Sequence, residues 1–264
     1  MKLWQKGAAA HEKVDAFTVG KDREYDLVLA QYDCEASMAH ATMLGKIGLI
    51  TANEAEQLCA VLSRLKIAAA AGDFTIEDEF EDMHSKIEHV LTAELGDLGK
   101  KIHTARSRND QVLVAMHLYL KQALKEVKAD VVSLFDLLLE LAEKHQKDLL
   151  PGYTHLQVAM PSSIGMWLSA YAESLIDDLY FWEAAYKMAD QNPLGSAAGY
   201  GSSFPIDREL TTKLLQFDQL KVNAVAAQMS RGKLEKSTAT AFSSIGSSLA
   251  KLSMDICLYM GQDF

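Results

Sequence analysis

The chain has 264 residues, 49% of them hydrophobic, and a formal net charge of −10 at pH 7. This composition is typical of a globular protein with a sizeable core and excludes an intrinsically disordered one. Because the lysines and arginines are spread along an acidic chain, we expect no nucleic-acid partner and no membrane-surface partner. A small anionic substrate is compatible with this composition, since a local pair of arginines can form a positive pocket in an acidic protein.

The cysteines and the N-terminus indicate the compartment. Cys34, Cys59 and Cys257 are odd in number and lack the spacing of a zinc site or a redox motif, so we interpret them as reduced, mostly packed thiols. The N-terminus lacks the apolar core of a signal peptide, and no segment approaches about 18 unbroken apolar residues. The sequence therefore predicts a soluble, cytoplasmic protein without a transmembrane span.

The first predicted helices carry clear start and stop signals. Residues 51–71 open on Thr51-Ala52-Asn53-Glu54, which is a capping-box pattern, and Gly72 is a C-terminal stop. A second amphipathic helix is predicted over 80–95 and is closed by Gly96.

Long helices are predicted in the remainder of the chain. Residues 108–148 contain no helix breaker, and their apolar positions recur at steps of three and four, which predicts a helix of about 60 Å. Further helices are predicted at about 162–190 and about 220–260. Their apolar residues cover much of the circumference, which favours oligomerisation.

No run of alternating strand sequence is longer than a few residues. The fold class predicted is therefore all-α. We expect an N-terminal helical domain over 1–107 and a long-helix bundle over 108–264.

A polar cluster directly precedes the longest predicted helix. Within Ile102–Gln111, the guanidinium groups of Arg106 and Arg108 accompany Ser107 and Asn109. A helix N-terminus favours bound anions, and arginine offers planar paired donors that match a carboxylate. The alternative is an ordinary polar helix start that Ser107 or Asn109 caps.

Two further polar segments interrupt the long helices. Within 151–157, Thr154, His155 and Gln157 combine a hydroxyl donor, an acid/base group and an amide in a predicted tight turn. A lone histidine is usually an ordinary loop or core residue. A third polar, glycine-rich segment at 191–199 favours a functional reading, because polar loops between long helices are where a bundle can build a site.

Three segments resemble, in order, motifs of the argininosuccinate lyase family, which belongs to the fumarase/aspartase superfamily. They are Thr104-Ala105-Arg106-Ser107-Arg108-Asn109-Asp110-Gln111, Pro151-Gly152-Tyr153-Thr154-His155-Leu156-Gln157 and Pro193-Leu194-Gly195-Ser196. Asp82-Met83-His84 with Ile87-Glu88 and Phe204-Pro205-Ile206-Asp207-Arg208 also fit, and the resemblance extends from Leu3-Trp4 to the last helix. The Arg-Ser-Arg-Asn-Asp-Gln motif favours this family over adenylosuccinate lyase, fumarase and aspartase.

The resemblance implies β-elimination of argininosuccinate to arginine and fumarate, the last step of arginine biosynthesis. It implies that His155 is the proton carrier and that Asp82 and His84 orient other groups of the site. The substrate-binding residues it implies are Arg106, Ser107, Arg108, Asn109, Thr154 and Gln157. It implies no metal and no organic cofactor, and a homotetramer whose sites are shared between subunits.

The family's catalytic serine lies on a Gly-Ser-Ser-x-Met-Pro loop that follows the helix with which this chain ends. We therefore expect the isolated 264-residue chain to be inactive. Two alternatives stay open: a catalytically inactive structural relative, and a lyase for a modified argininosuccinate, for instance an acylated one. The second is suggested by departures from the family pattern, such as Gly20 near the position of a usual substrate-binding serine and Ala105 in place of a glycine.

Overall fold

The structure is a computed structural model that describes residues 17 and 19–262. The Leu3-Trp4 segment of the resemblance lies outside the described residues. In chain order the elements are α1 (Asp22–Lys46), α2 (Ala52–Ala71), α3 (Met83–Leu95), α4 (Asp97–Lys100), a 3-10 turn (Lys101–His103), α5 (Arg108–Lys144), β1 (Leu149–Thr154), β2 (Gln157–Ser163), α6 (Ile164–Ala189), β3 (Gln191–Asn192), α7 (Arg208–Leu214), β4 (Gln219–Leu220), α8 (Ala224–Met229) and α9 (Lys233–Tyr259). The predominance of helix confirms the predicted fold class.

The local start and stop signals act as predicted. The Thr51 hydroxyl accepts a hydrogen bond from the Glu54 N–H at 3.2 Å, and the Glu54 carboxylate accepts one from the Thr51 N–H at 2.7 Å. This reciprocal pair satisfies two donors that a helix start leaves open. At the other end, Gly72 adopts φ 80°, the left-handed conformation that terminates α2.

Two predicted segments differ from the structure. The predicted helix at about 220–260 is divided into α8 and α9, because Gly232 adopts φ 78° between them. The segment before α6 is a β-hairpin, whereas the sequence analysis predicted only a tight turn. β1 pairs antiparallel with β2, and Pro151, Gly152 and Pro161, which are of residue types unusual in strands, concealed the hairpin in the sequence.

Contacts divide the chain into two compact units. The first contains the described residues of Met1–Tyr119 together with Asp190–Arg231, and the second contains Leu120–Ala189 together with the described residues of Gly232–Phe264. The long helix α5 contributes residues to both. The division of the whole protein into domains 1–107 and 108–264 stays a prediction.

Each unit has its own apolar core. In the first unit, α1, α2 and α3 pack together around side chains that include Leu44, Leu58, Met83 and Leu91. In the second unit, α5, α6 and α9 pack together around side chains that include Leu138, Leu168, Ala172, Leu175 and Ile245. Burial of large aliphatic side chains contributes about 1.5–3 kcal/mol each, so these clusters hold the helices in place.

Among residues 19–262, no helix is both long enough and apolar enough to cross a membrane.

A close helix approach in the second unit generates a stability prediction. A Cβ at Gly165 would lie 2.5 Å from the Ala142 carbonyl oxygen and 2.7 Å from the Gln146 Cα. Because both neighbours are backbone atoms, we expect Gly165→Ala to lower the free energy of unfolding by about 1–3 kcal/mol. The control is Gly246→Ala in α9, where a Cβ meets nothing within 4 Å and alanine should stabilise the helix. Thermal unfolding of the gene product that contains this chain checks the pair, and equal stability of both variants would contradict it.

Candidate active site

The first motif forms the capped start of α5. The Ser107 hydroxyl accepts a hydrogen bond from the Asn109 N–H at 3.2 Å, and the Asp110 carboxylate accepts one from the Ser107 N–H at 2.9 Å. Ser107 therefore acts as the helix cap, as the simpler reading of the motif predicted. The Asn109 side chain is exposed beside the positive end of the helix. The substrate-binding roles of Ser107 and Asn109 stay predictions.

Asp110 links the first motif to the glycine-rich loop 193–199. Its second carboxylate oxygen accepts hydrogen bonds from the Gly195 and Ala197 N–H groups, both at 3.1 Å, and Asp110 is fully buried. The sequence analysis assigned no role to this residue. Asp110 lies three residues after the Ser107 cap, at the acidic position of a capping box. This spacing was the sequence signal that could have predicted its contact with Ser107.

The same loop is held from two other sides. The Arg208 guanidinium donates hydrogen bonds to the Leu194 and Lys221 carbonyl oxygens, each at 2.8 Å. The Gln228 side-chain amide donates to the Ser196 hydroxyl at 2.9 Å. The Arg208 side chain can pack against the loop only because residue 195 is a glycine: a Cβ there would lie 2.8 Å from the Arg208 Cγ.

Arg106 faces the interior of the first unit. Its side chain is 1% exposed, its Nη1 donates a hydrogen bond to the Ser37 hydroxyl at 2.8 Å, and its Nη2 lies 3.7 Å from an Asp33 carboxylate oxygen. Burial lowers the pKa of Arg106, and the charges of Asp33 and Asp110 oppose this shift. These contacts are structural, and the substrate-binding role of Arg106 stays a prediction.

A buried histidine completes the ion cluster around Asp33. The His84 Nδ1 lies 3.2 Å from an Asp33 carboxylate oxygen, and both side chains are almost completely buried. Burial is the largest single influence on the pKa of His84 and by itself would lower it, but the neighbouring carboxylates of Asp33, Asp82 and Asp26 together outweigh burial and raise that pKa. Burial likewise opposes ionisation of Asp33, but His84 and Arg106 together lower the pKa of that carboxyl. The cluster is therefore a carboxylate held between two cations.

His40, a second buried histidine of the first unit, is neutral. Its Nε2 lies 2.9 Å from the Thr104 carbonyl oxygen, so the neutral ring donates a hydrogen bond there. Burial, reinforced by the charge of Arg106, lowers the pKa of His40 to about 3. This bond fixes the peptide between Thr104 and Ala105, at the beginning of the first motif.

Arg108 is tied to the start of α3. Its guanidinium lies 2.9 Å from the Asp82 carboxylate and donates to the Ser85 hydroxyl at 3.0 Å. Asp82 also caps α3 by accepting a hydrogen bond from the Ser85 N–H at 2.8 Å. The orienting role predicted for Asp82 and His84 fits these contacts and stays a prediction.

The second motif lies at the tip of the hairpin in the second unit. Thr154, His155 and Gln157 are all exposed, and the two central residues of the turn, His155 and Leu156, have φ 52° and 60°. Positive φ at both positions is required by a type I′ turn, which normally selects asparagine and glycine. A histidine held in this conformation is strained, and such strain clusters at functional sites. The structure thus brings these three residues together on one exposed turn.

Aromatic rings support the base of this turn. Tyr153 lies 6.4 Å from Tyr259 between ring centroids, and Tyr259 lies 5.3 Å from Trp167. The Asp255 carboxylate accepts hydrogen bonds from the Trp167 indole at 3.0 Å and from the Tyr171 hydroxyl at 2.5 Å. Sequence analysis missed this cluster, because its members are spread over three elements.

Among residues 17 and 19–262, no group of three or more histidine, cysteine, aspartate or glutamate side chains is arranged to hold a metal ion. That the reaction needs neither metal nor organic cofactor stays a prediction.

The ion cluster generates a prediction about pH. Because the folded-state pKa of His84 is raised, its stabilising contribution is complete below about pH 6.5 and is lost as the pH rises through the folded-state value. His40 opposes this slope only near pH 6.5, where its unfolded-state imidazole still binds protons, and adds none well above that value, because it is then neutral in both states. We expect His84→Gln to flatten the decline of unfolding free energy as the pH rises above about 6.5. Urea unfolding at several pH values checks this, with His89→Gln on the surface of α3 as the control. An unchanged slope in His84→Gln would contradict the assignment.

Comparison with known proteins identifies the family. A family model described as "Lyase" matches residues 8–264. The argininosuccinate lyase of Phocaeicola vulgatus is 54% identical over 263 residues, which cover 100% of this chain and 59% of that protein. The argininosuccinate lyase of Parabacteroides distasonis is 53% identical with the same coverage. A crystal structure of EDDS lyase in complex with formate matches with a TM-score of 0.82 at 25% identity, over 98% of this chain and 51% of that chain.

The chain thus spans 59% of the length of the curated relatives named above. The sequence identity between these relatives and this chain, over the whole length of the chain, confirms the resemblance that the three motifs indicate. The chain belongs to the lyase family.

Proposed function

We propose that the gene product containing this chain is an argininosuccinate lyase. The observation that carries the proposal is the 54% identity with a protein of that name over the whole chain. The geometry supports it, because the hydrogen-bonded start of α5 and the hairpin tip leave exposed four of the polar side chains that the family motifs assign to the reaction or to the substrate. These are Asn109, Thr154, His155 and Gln157.

The chemistry is an elimination. A base removes a proton from the carbon beside a carboxylate of the succinyl part. The bond from the neighbouring carbon to the guanidinium nitrogen then breaks, its electron pair leaves with the nitrogen, and protonation of that nitrogen completes arginine while fumarate is left. The intermediate carries two negative charges on an aci-carboxylate and therefore needs donors that are already in place. Asn109, at the positive end of α5, and Thr154 are suited to donate hydrogen bonds to it. His155 is the proton carrier, since histidine exchanges protons near neutral pH.

The catalytic proposal is tested at His155. We expect His155→Asn to reduce fumarate release from argininosuccinate by at least about 100-fold, because the proton carrier is removed. Asparagine tolerates positive φ, so the hairpin and the melting temperature should be preserved. The matched control is His89→Asn, an exposed histidine that packs against Phe80.

The measurement is absorbance of fumarate with purified protein, together with thermal unfolding. Turnover that is unchanged in His155→Asn would remove His155 from its role. If the unchanged protein processes an acylated argininosuccinate instead, the substrate is a modified one. If it releases fumarate from neither substrate, the inactive structural relative is the better description.

A homo-oligomer is part of the proposal, and the second unit offers a surface for it. Two adjoining grooves between α5 and α6, of about 520 Å³ and 250 Å³, share Val132 in their lining. Lys125 and Lys128 line one end of the combined groove, and Asp136 lines the other. Between them the lining is apolar and includes exposed surface of Val132 and Ile176.

This charge distribution is self-complementary. If a second copy of α5 packs antiparallel with Val132 opposite Val132, Lys128 of one copy lies opposite Asp136 of the other. A two-fold interface repeats such a pair on both sides of its axis. The groove therefore suits a second copy of this chain, in agreement with the homotetramer that the family resemblance implies.

Charge reversal tests the interface. We expect Lys128→Glu and Asp136→Lys each to lower the oligomer mass at micromolar concentration, since each places like charges opposite one another. The double variant should restore the mass, because it exchanges the two charges. Lys147→Glu, on an exposed residue just after α5, is the control. Light scattering after gel filtration gives the result, and a double variant that assembles no better than the single ones would contradict the pairing.

A further inference from the structure

We propose that Asp110 is a positioning residue of the elimination site: its carboxylate fixes the start of α5 to the loop 193–199, so that the Asn109 side chain is presented to the substrate in one orientation. The inference rests on the proposed function and extends it. Asp110 itself touches no substrate, because it is fully buried.

The carboxylate collects backbone donors from two segments that are far apart in sequence. One oxygen accepts from the Ser107 N–H at 2.9 Å, and the other accepts from the Gly195 and Ala197 N–H groups at 3.1 Å each. Hydrogen bonds to an ionised acceptor are about twice as strong as neutral ones. A single side chain therefore determines the position of the helix start relative to the loop.

Only a carboxylate suits these three donors. An ionised aspartate has two accepting oxygens and no hydrogen to donate, whereas asparagine has an NH₂ group in place of one of them. In Asp110→Asn, that NH₂ group would face either the Ser107 N–H or the pair at Gly195 and Ala197. Either orientation places donor against donor in a buried site, so one of the two links is lost.

The loop conformation depends on such a link. Ala197 adopts φ 50°, which is unfavourable for a residue with a Cβ and persists only where surrounding contacts enforce it. The Asp110 carboxylate holds its N–H, and the Gln228 side-chain amide donates to its carbonyl oxygen at 3.1 Å. Both backbone polar groups of Ala197 are thus held by side chains.

Asn109 lies within the same fixed segment. Its N–H donates to the Ser107 hydroxyl, and its carbonyl oxygen accepts a hydrogen bond from Arg231 at 3.2 Å. The backbone is therefore held on both sides while the side chain is exposed. Such preorganisation lowers the entropic cost of placing a donor against a bound substrate.

The experiment compares Asp110→Asn with Asp130→Asn, which changes an exposed aspartate of the same helix. Steady-state kinetics with argininosuccinate are measured in the complete gene product at a temperature where all variants are folded. We expect KM to rise about 10-fold in Asp110→Asn while kcat changes less than about 3-fold, because Asn109 donates to the substrate carboxylate already in the ground state and keeps this hydrogen bond through the elimination. Asp130→Asn should match the unchanged protein.

A second variant weakens the contacts of the loop without removing a buried charge. It tests the proposal even if Asp110→Asn fails to fold. Gln228→Ala removes the hydrogen bonds to Ser196 and Ala197, and we expect a smaller rise of KM, about 3-fold, in the same direction. Hydrogen exchange of the peptide containing 194–198 gives a readout that needs no substrate. It should be faster in both variants than in Asp130→Asn.

The outcomes separate the two proposals. If the unchanged protein releases no fumarate, the proposed function fails, and hydrogen exchange alone shows whether Asp110 holds the loop. If the protein is active and exchange at 194–198 becomes faster while KM is unchanged, the residue is merely structural and the inference is overturned. Unchanged exchange in a folded Asp110→Asn variant would overturn it as well.

Discussion

A carboxylate with no exposed surface is the strongest constraint on the first unit. Taking an ionised group out of water costs several kcal/mol unless cations and donors replace the solvent, and Asp33 is therefore met by His84 and Arg106. These two partners belong to the start of α3 and to the segment before α5. The electrostatic requirement at one residue of α1 thus determines where two of the motif segments lie within the unit.

The polar residues of the motifs divide into two classes by burial. Arg106 and Asp110 are buried and act on other parts of the protein, whereas Asn109 and His155 are exposed and have polar atoms available for a ligand. The division has a physical reason, because an exposed donor is useful for catalysis only if its backbone is held still. The buried members provide that rigidity at the start of α5, and paired strands provide it below His155.

The two alternatives to an argininosuccinate lyase make different predictions for the exposed motif residues. A purely structural protein gains nothing from a histidine at a strained, exposed turn position, where φ is 52°. A lyase for a modified substrate would keep the elimination residues and differ in what holds the amino-acid end. The connection of the departures at Gly20 and Ala105 with that end was inferred from the sequence and stays a prediction.

The sequence by itself determined the helices and their ends, because capping and hydrophobic spacing act between residues only a few positions apart. The capping box at Thr51, the stop at Gly72 and the long helix α5 are examples. It also determined the family, through motifs that are contiguous in the chain. Only the tertiary structure decided that Arg106 is directed inward and that Asp110 joins the loop 193–199, since the partners of both side chains are about 70 to 90 residues away in sequence. Burial and long-range hydrogen bonding depend on which distant segments of the chain pack together, and no local sequence pattern encodes that.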